Sequence, residues 1–340
     1  MLSQDNYILL FENCQLTKGH TRTLLIDLQR NSFEFLPNEM YLILKSFSRK
    51  HTVRQILALF EPDSTLILEY FDFLLLNDYA FECTKDEIKF FPPLSTDWDY
   101  PAEITNCIID FNKTPVNLSV YKKVLTQLGQ LNCQSLQIRC FSDLPLSFIE
   151  SFLNIITGTK IIRADVLLKH NREIHLTGYK KIFNWPFINN LVLHSADKDK
   201  RFAYKNKQVL TFLSQEINDD SCCGNIAFSN FIFNVEFYTE SLSFNSCLNR
   251  KVGIDVNGNI KNCPSGKIAF GNIKTHNISD IVNLDRFQTV WKISKDKIAD
   301  CKSCEFRNVC TDCRVFIKDQ DNIFSKPSKC SYNPWMGTYE

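Results

Sequence analysis

From residue 247 onward the chain carries seven cysteines in an order suited to thiolate coordination of metal: Cys247, Cys263, Cys301, Cys304, Cys310, Cys313 and Cys330. The first two stand in C-x10-G-x4-C through Gly258, and the next four in C-x2-C-x5-C-x2-C, with Cys330 after a further gap. A C-x2-C turn brings two sulfurs to one metal edge and turns backbone N–H groups toward them, so it recurs in zinc and iron–sulfur sites. Two such pairs with three outlying cysteines supply more thiolates than one zinc requires. The residues therefore favour iron–sulfur clusters, with structural zinc as the alternative. A disulfide framework fits less well, because it needs an oxidising compartment and is typical of far smaller chains. The opening Met1-Leu2-Ser3-Gln4-Asp5-Asn6 has neither a basic nor an apolar signal region, so no secretory signal is expected. Cys14, Cys83, Cys107, Cys133 and Cys140 are scattered through apolar runs and read as buried hydrophobes.

The elements that position these thiols follow from patterning over 340 residues, enough for two or three domains with their own cores. Phe is abundant at 28, Gly scarce at 10, and the net charge is +1 with no sustained basic face, which gives no case for nucleic acid or an anionic membrane. The most apolar stretch, Leu66 to Leu76, is broken by Glu69 and Asp72 and is too short to span a bilayer. A soluble cytoplasmic protein is expected.

Residues 1–91 look like a winged-helix unit. Strands are expected at Tyr7–Phe11, Thr21–Leu28 and Ser32–Pro37, helices at Asn38–Phe47, Thr52–Phe60 and Ser64–Asp78, and closing strands at Phe81–Cys83 and Ile88–Phe91. Residues 92–103 form a proline-rich linker containing Trp98-Asp99-Tyr100-Pro101. From 104 to 245, strands at Ile104–Phe111, Ser135–Phe141, Ile161–Leu168 and Asn190–His194 alternate with helices at Val116–Leu131, Leu146–Ile156 and near Gly178–Asn184. That alternation predicts an α/β unit with a parallel sheet. His170, His175 and His194 lie near strand ends but read as ordinary polar residues, and Gly258 and Gly266 suit tight turns. No catalytic nucleophile–base pair is apparent.

The cysteine array over 246–340 resembles the SPASM domain, the auxiliary-cluster module of radical-SAM peptide maturases. One spacing departs from that family: two residues rather than three separate Cys310 from Cys313. The resemblance implies two 4Fe-4S clusters, one on Cys247, Cys263 and Cys313 and the other on Cys301, Cys304, Cys310 and Cys330. The fourth position of the first cluster would fall to Cys222 or Cys223, or stay open. By the same resemblance the middle unit is a degenerate radical-SAM-like partial (β/α) barrel, and the N-terminal unit is similar to the peptide-recognition element of ribosomal-peptide maturases, which binds a leader by strand addition. A helix face carrying Leu66, Tyr70 and Phe73 would lie beside the added strand. The family's C-x3-C-x2-C loop is absent: the chain reads Asn112-Lys113-Thr114-Pro115-Val116-Asn117 there. Where the family has Gly-Gly-Glu, it reads Phe141-Ser142-Asp143. No SAM is therefore expected to be bound or cleaved. With its Leu28-Gln29-Arg30-Asn31 segment and its linker, the chain resembles the SPASM partner of grasp-with-spasm systems. That implies a maturation factor for a ribosomally made peptide (RiPP biosynthesis), with a precursor peptide and an ATP-grasp ligase as partners. A redox enzyme using an open auxiliary cluster and a zinc-stabilised scaffold are the rival readings.

Overall fold

Parallel strands alternating with helices form the middle of the computed structural model, which describes residues 2–115, 117–205 and 208–339. The expected helix start at Val116 lies outside the described residues. Among those described, no helix is long and apolar enough to cross a membrane.

The chain opens with β1 (Tyr7–Leu10), β2 (Cys14–Lys18), β3 (Thr23–Asp27) and β4 (Ser32–Leu36), continues through α1 (Asn38–Leu42), α2 (Val53–Leu59) and α3 (Ser64–Leu76), and closes with β5 (Ala80–Cys83). β1 pairs antiparallel with β5, while β2, β3 and β4 form a separate antiparallel sheet. α2 starts at a reciprocal capping box between Thr52 and Gln55, which satisfies two otherwise orphaned N–H groups. The strand at Cys14–Lys18 was not expected, because the short reversal at Phe11–Asn13 carries no glycine or proline to announce it. The strand expected at Ile88–Phe91 is instead a 3-10 turn, Ile88–Phe90. Glu87 accepts bonds from the Thr84 N–H and hydroxyl, tightening this stretch into a turn with no strand partner.

The central sheet begins with β6 (Asn106–Phe111) and α4 (Ser119–Gln130), β7 (Ser135–Cys140) and α5 (Leu146–Ile156). β8 (Arg163–Lys169), α6 (Leu176–Lys180) and β9 (Ile188–His194) follow, and then β10 (Lys200–Ala203) and β11 (Val209–Phe212). β6 to β9 and β11 run parallel, and β10 adds antiparallel at one edge. Residues 107–111 of β6 are buried throughout, as a parallel strand covered on both faces requires. Phe111, Tyr121, Phe148 and Phe152 interlock in tilted and edge-to-face contacts between sheet and helices.

After α7 (Val235–Ser243), the cysteine-rich segment adds its own strands to the other edge. β12 (Lys251–Ile254) pairs parallel with β6, and β13 (Asn259–Lys261) and β14 (Gly271–Asn272) follow antiparallel. Nine strands thus share one sheet. Beyond it the chain runs through short helices and turns to the hairpin β15 (Tyr332–Asn333) and β16 (Thr338–Tyr339). Leu24, Ile26 and Leu28 of the N-terminal unit share a core with Tyr238, Phe306, Val309 and Tyr332.

Candidate metal centres

Four cysteines face one cavity near the C-terminal hairpin. Cys301 opens a one-turn 3-10 segment, and the Cys304 N–H closes the C-x2-C turn on the Cys301 carbonyl at 2.9 Å. The Cys310 N–H bonds to the Phe306 carbonyl at 2.9 Å. Cys330 arrives through a bridge to Ile226. These four cysteines line one cavity with Lys295, Arg307, Lys326 and Tyr332. Burial, with Asp312 and neighbouring thiols adding to it, pushes the Cys301 thiol up to about 12 despite the opposing Lys295 ammonium. That thiol would thus stay protonated unless a metal takes the proton's place.

A second cavity is lined by Cys247, Cys263 and Cys313 together with Cys222 and Cys223. Cys313 lines this cavity although it follows Cys310 closely in sequence. The Asn245 carboxamide oxygen accepts the N–H groups of Cys247 and Leu248 at 3.1 and 2.9 Å, fixing the turn that presents Cys247. The β12–β13 hairpin then returns the chain to Cys263. A Cβ on Gly253 would fall 2.4 Å from the Pro264 ring, so the approach of Cys263 to β12 depends on glycine there. Gly224, at φ +81°, would likewise place a Cβ 2.8 Å from Phe316 and 3.1 Å from the Cys313 sulfur. The Phe316 N–H donates to that sulfur at 3.3 Å. Lys329 holds the 221–223 turn by donating to the carbonyls of Ser221 and Cys223. Burial, reinforced by Cys247, pushes the Cys263 thiol up to about 12.

A donor set of four thiols in one cavity, and of three with two more beside them, fits an iron–sulfur cube held by one cysteine per iron. Among the described residues no three His, Cys, Asp or Glu side chains converge on a single-ion site. A tetrahedral zinc with Zn–S of about 2.3 Å would draw its sulfurs to about 3.8 Å of one another.

Sequence reasoning missed the charged residues around these thiols. Asp312 is buried between the two sets; it accepts from Asn245 at 2.6 Å and from Arg314 at 2.8 Å, and lies 3.8 Å from the Lys295 ammonium. Lys251 and Lys295 approach Cys247 and Cys310 at 3.4 and 3.3 Å. Burial works against both ammonium groups, and it is outweighed where the neighbouring sulfurs carry charge, with Asp312 adding at Lys295. Only their place within the cysteine-rich segment could have hinted at this.

Asp110 on β6 and Arg139 on β7 form a buried bidentate pair, with both bonds at 2.7 Å. Burial pushes the Asp110 carboxyl up, opposed by the guanidinium. The pair stands at the strand ends beside the loop Asn112–Pro115, and the Ser142 hydroxyl donates to the Asn112 carbonyl at 2.7 Å. His194 is fully buried, with its ring nitrogens 3.0 Å from the Cys140 carbonyl and 3.0 Å from the Ser195 hydroxyl. His170 packs against Tyr179 and Phe212, and His175 is exposed ahead of α6. The three histidines serve the fold locally and share no site with the thiols.

Residues 246–305 match the SPASM family, described as an iron-sulfur cluster-binding domain. No curated protein matches the chain. Among solved structures, Streptococcus suis SuiB is similar at 11% identity over 95% of this chain and 99% of its own, with a TM-score of 0.39. BtrN in an open conformation is similar at 16% identity over 59% and 92%, TM-score 0.36. The anSMEcpe structure, which holds AdoMet and the Cp18Cys peptide, is similar at 10% identity over 66% and 94%, TM-score 0.37.

Proposed function

We propose that this chain is an iron–sulfur maturation factor for a ribosomally synthesised peptide, carrying two 4Fe-4S clusters and acting with an ATP-grasp ligase. One observation carries the reading: the thiols fall into two cavities, one lined by Cys301, Cys304, Cys310 and Cys330 and the other by Cys247, Cys263 and Cys313. The match of residues 246–305 to a cluster-binding domain supports it. In this reading those seven cysteines are the ligands, and Cys223 supplies the fourth position of the first cluster. Cys223 is preferred over Cys222 because it lies next to Gly224, where an added Cβ would stand 3.1 Å from the Cys313 sulfur. The clusters, when bound, supply one-electron redox capacity.

The remaining parts of the reading rest on residues 1–91 as a winged-helix recognition unit, 104–245 as a degenerate barrel and 246–340 as the cluster domain. β4 is paired on one side only, which strand addition by a precursor peptide needs. Leu66 is 51% exposed on α3, with Tyr70 and Phe73 half-buried nearby. The ATP-grasp partnership is supported by the sequence resemblance alone. SAM cleavage is left out of the reading because Asn112–Pro115 offers no thiolate for a further cluster. A reducing, cytoplasmic setting accords with fourteen cysteines, all free.

Anaerobic purification with iron, sulfide and zinc analysis tests the proposal. About eight iron and eight sulfide per chain support two cubes. Stoichiometric zinc without sulfide would turn the reading to a scaffold.

A further inference from the structure

The two thiol sets share a feature that neither the cysteine spacing nor the family match describes. Each holds one lysine whose ammonium touches a ligand-class sulfur, Lys295 buried and Lys251 half-buried. Lys251, the first residue of β12, reaches Cys247 at 3.4 Å. Lys295, on the 3-10 turn Lys295–Lys297, reaches Cys310 at 3.3 Å and the Thr311 carbonyl at 3.0 Å. The lysines come from different elements and approach different cysteines, so the arrangement is built twice.

A buried ammonium demands a countercharge, since removing it from water uncompensated costs several kcal/mol. Lys295 finds part of that charge in Asp312 at 3.8 Å. Lys251 forms no ion pair with a carboxylate among the described residues; the group its ammonium touches is the Cys247 sulfur. Neutral thiols cannot serve as countercharge. Thiolates on a metal cluster can, because the clusters with four cysteine ligands carry net negative charge in both oxidation states.

We propose that Lys251 and Lys295 are positioning residues that set the reduction potentials of the first and second clusters, each by donating a charged hydrogen bond to one ligand sulfur. Adding an electron makes a cluster more negative, so a fixed positive donor stabilises the reduced state more than the oxidised one. The inference rests on the cluster reading above.

The test is an EPR-monitored redox titration of the anaerobically reconstituted full-length protein, with Lys251→Met and Lys295→Met beside wild type. The couples are assigned with Cys301→Ser, which retains only the first. Each methionine variant should keep its iron and shift only its own couple to more negative potential. The expected size is about tenfold against reduction, about 59 mV for one electron. Full iron with both couples unmoved overturns the proposal. Wild-type protein without iron and sulfide overturns the cluster reading as well, and metal analysis reveals that before any titration. Should a methionine variant fail to fold, Lys→Arg and Lys→Gln decide: arginine should hold the potential and glutamine lower it. Equal potentials in those two variants would also sink the idea.

Discussion

Arg22 donates from Nε to the Glu305 carboxylate at 2.8 Å, joining the start of the chain to the residue that directly follows Cys304. The same carboxylate oxygen accepts the Tyr332 hydroxyl at 2.6 Å. Glu305 is fully buried, and the Arg22 guanidinium lies 3.5 Å from the Phe35 ring centroid. The His20 N–H adds a bond to the Ser303 carbonyl, and Asn308 donates to the Thr17 hydroxyl. The N-terminal sheet is thus fastened beside the second thiol set by named polar contacts as well as by a shared core.

Replacing Arg22 with Met should destabilise the protein by roughly 1–3 kcal/mol, because a buried carboxylate loses its cation. The figure is set below that for a fully buried pair because Arg22 is 32% exposed. Glu305→Gln should cost less, since no charge is stranded. Urea unfolding of the loaded protein measures both, and an Arg22→Met change under about 0.5 kcal/mol would mean that the contact carries no coupling energy.

Cys301→Ser or Cys304→Ser should lower the iron content from about eight to about four per chain and loosen the last forty or so residues, because metal binding stands in for apolar core there. The apolar cluster beside Cys301 holds only Ile293 and Ile298 as further buried members. Cys313→Ser should disturb the first cluster and leave the spectrum of the second. A variant that kept all its iron would exclude the substituted residue as a ligand.

Acid should weaken the β3–β4 turn through Asp27. Burial opposes its ionisation, but bonds from Arg30, Gln29 and Asn13 outweigh that and hold its carboxyl below the ordinary value. A depressed folded value means that the contribution, about 1–3 kcal/mol for charged hydrogen bonds, is fully present above the unfolded value of about 3.9. It fades as pH falls through the lower folded value. Comparing Asp27→Asn with wild type by denaturant unfolding should show a gap at pH 7 that narrows below about pH 4. A gap that stays constant with pH would show that the carboxylate charge is not what holds the turn.

Leu66→Asp should weaken binding of the precursor's leader by at least about tenfold, or 1.4 kcal/mol, in fluorescence anisotropy, with little change in melting because Leu66 is exposed. Substitution is the better probe here than deletion of residues 1–91. Deletion would strip Leu24, Ile26 and Leu28 from the core they share with Phe306 and Tyr332. Unchanged affinity in Leu66→Asp would remove this helix face from the recognition surface.

The regular βα alternation of residues 104–194 was readable because its apolar runs are long and their periods unambiguous. The helix expected from Thr52 was legible for a similar reason: the capping box at its start is a local pattern. The Cys14–Lys18 strand was not, since the reversal at Phe11–Asn13 that parts it from β1 carries no glycine or proline. The thiols announced themselves by spacing, but the charges around them did not. Lys251 reaches back four residues to Cys247 across the turn in which its N–H bonds to the Leu248 carbonyl, a contact that no residue type in the segment announces. The Asp110–Arg139 pair depends on the parallel register of β6 and β7, which sets the two residues side by side.

The parallel pairing of β12 with β6 also bears on how the protein fails. β6 is buried on both faces, and the strand that covers its outer edge belongs to the cysteine-rich segment, between Cys247 and Cys263. Should that hairpin detach, β6 would present a row of unpaired N–H and C=O groups along an apolar strand, the template from which chains assemble edge to edge. Damage around the first thiol set would then show itself as loss of soluble material, ahead of any loss of chemistry.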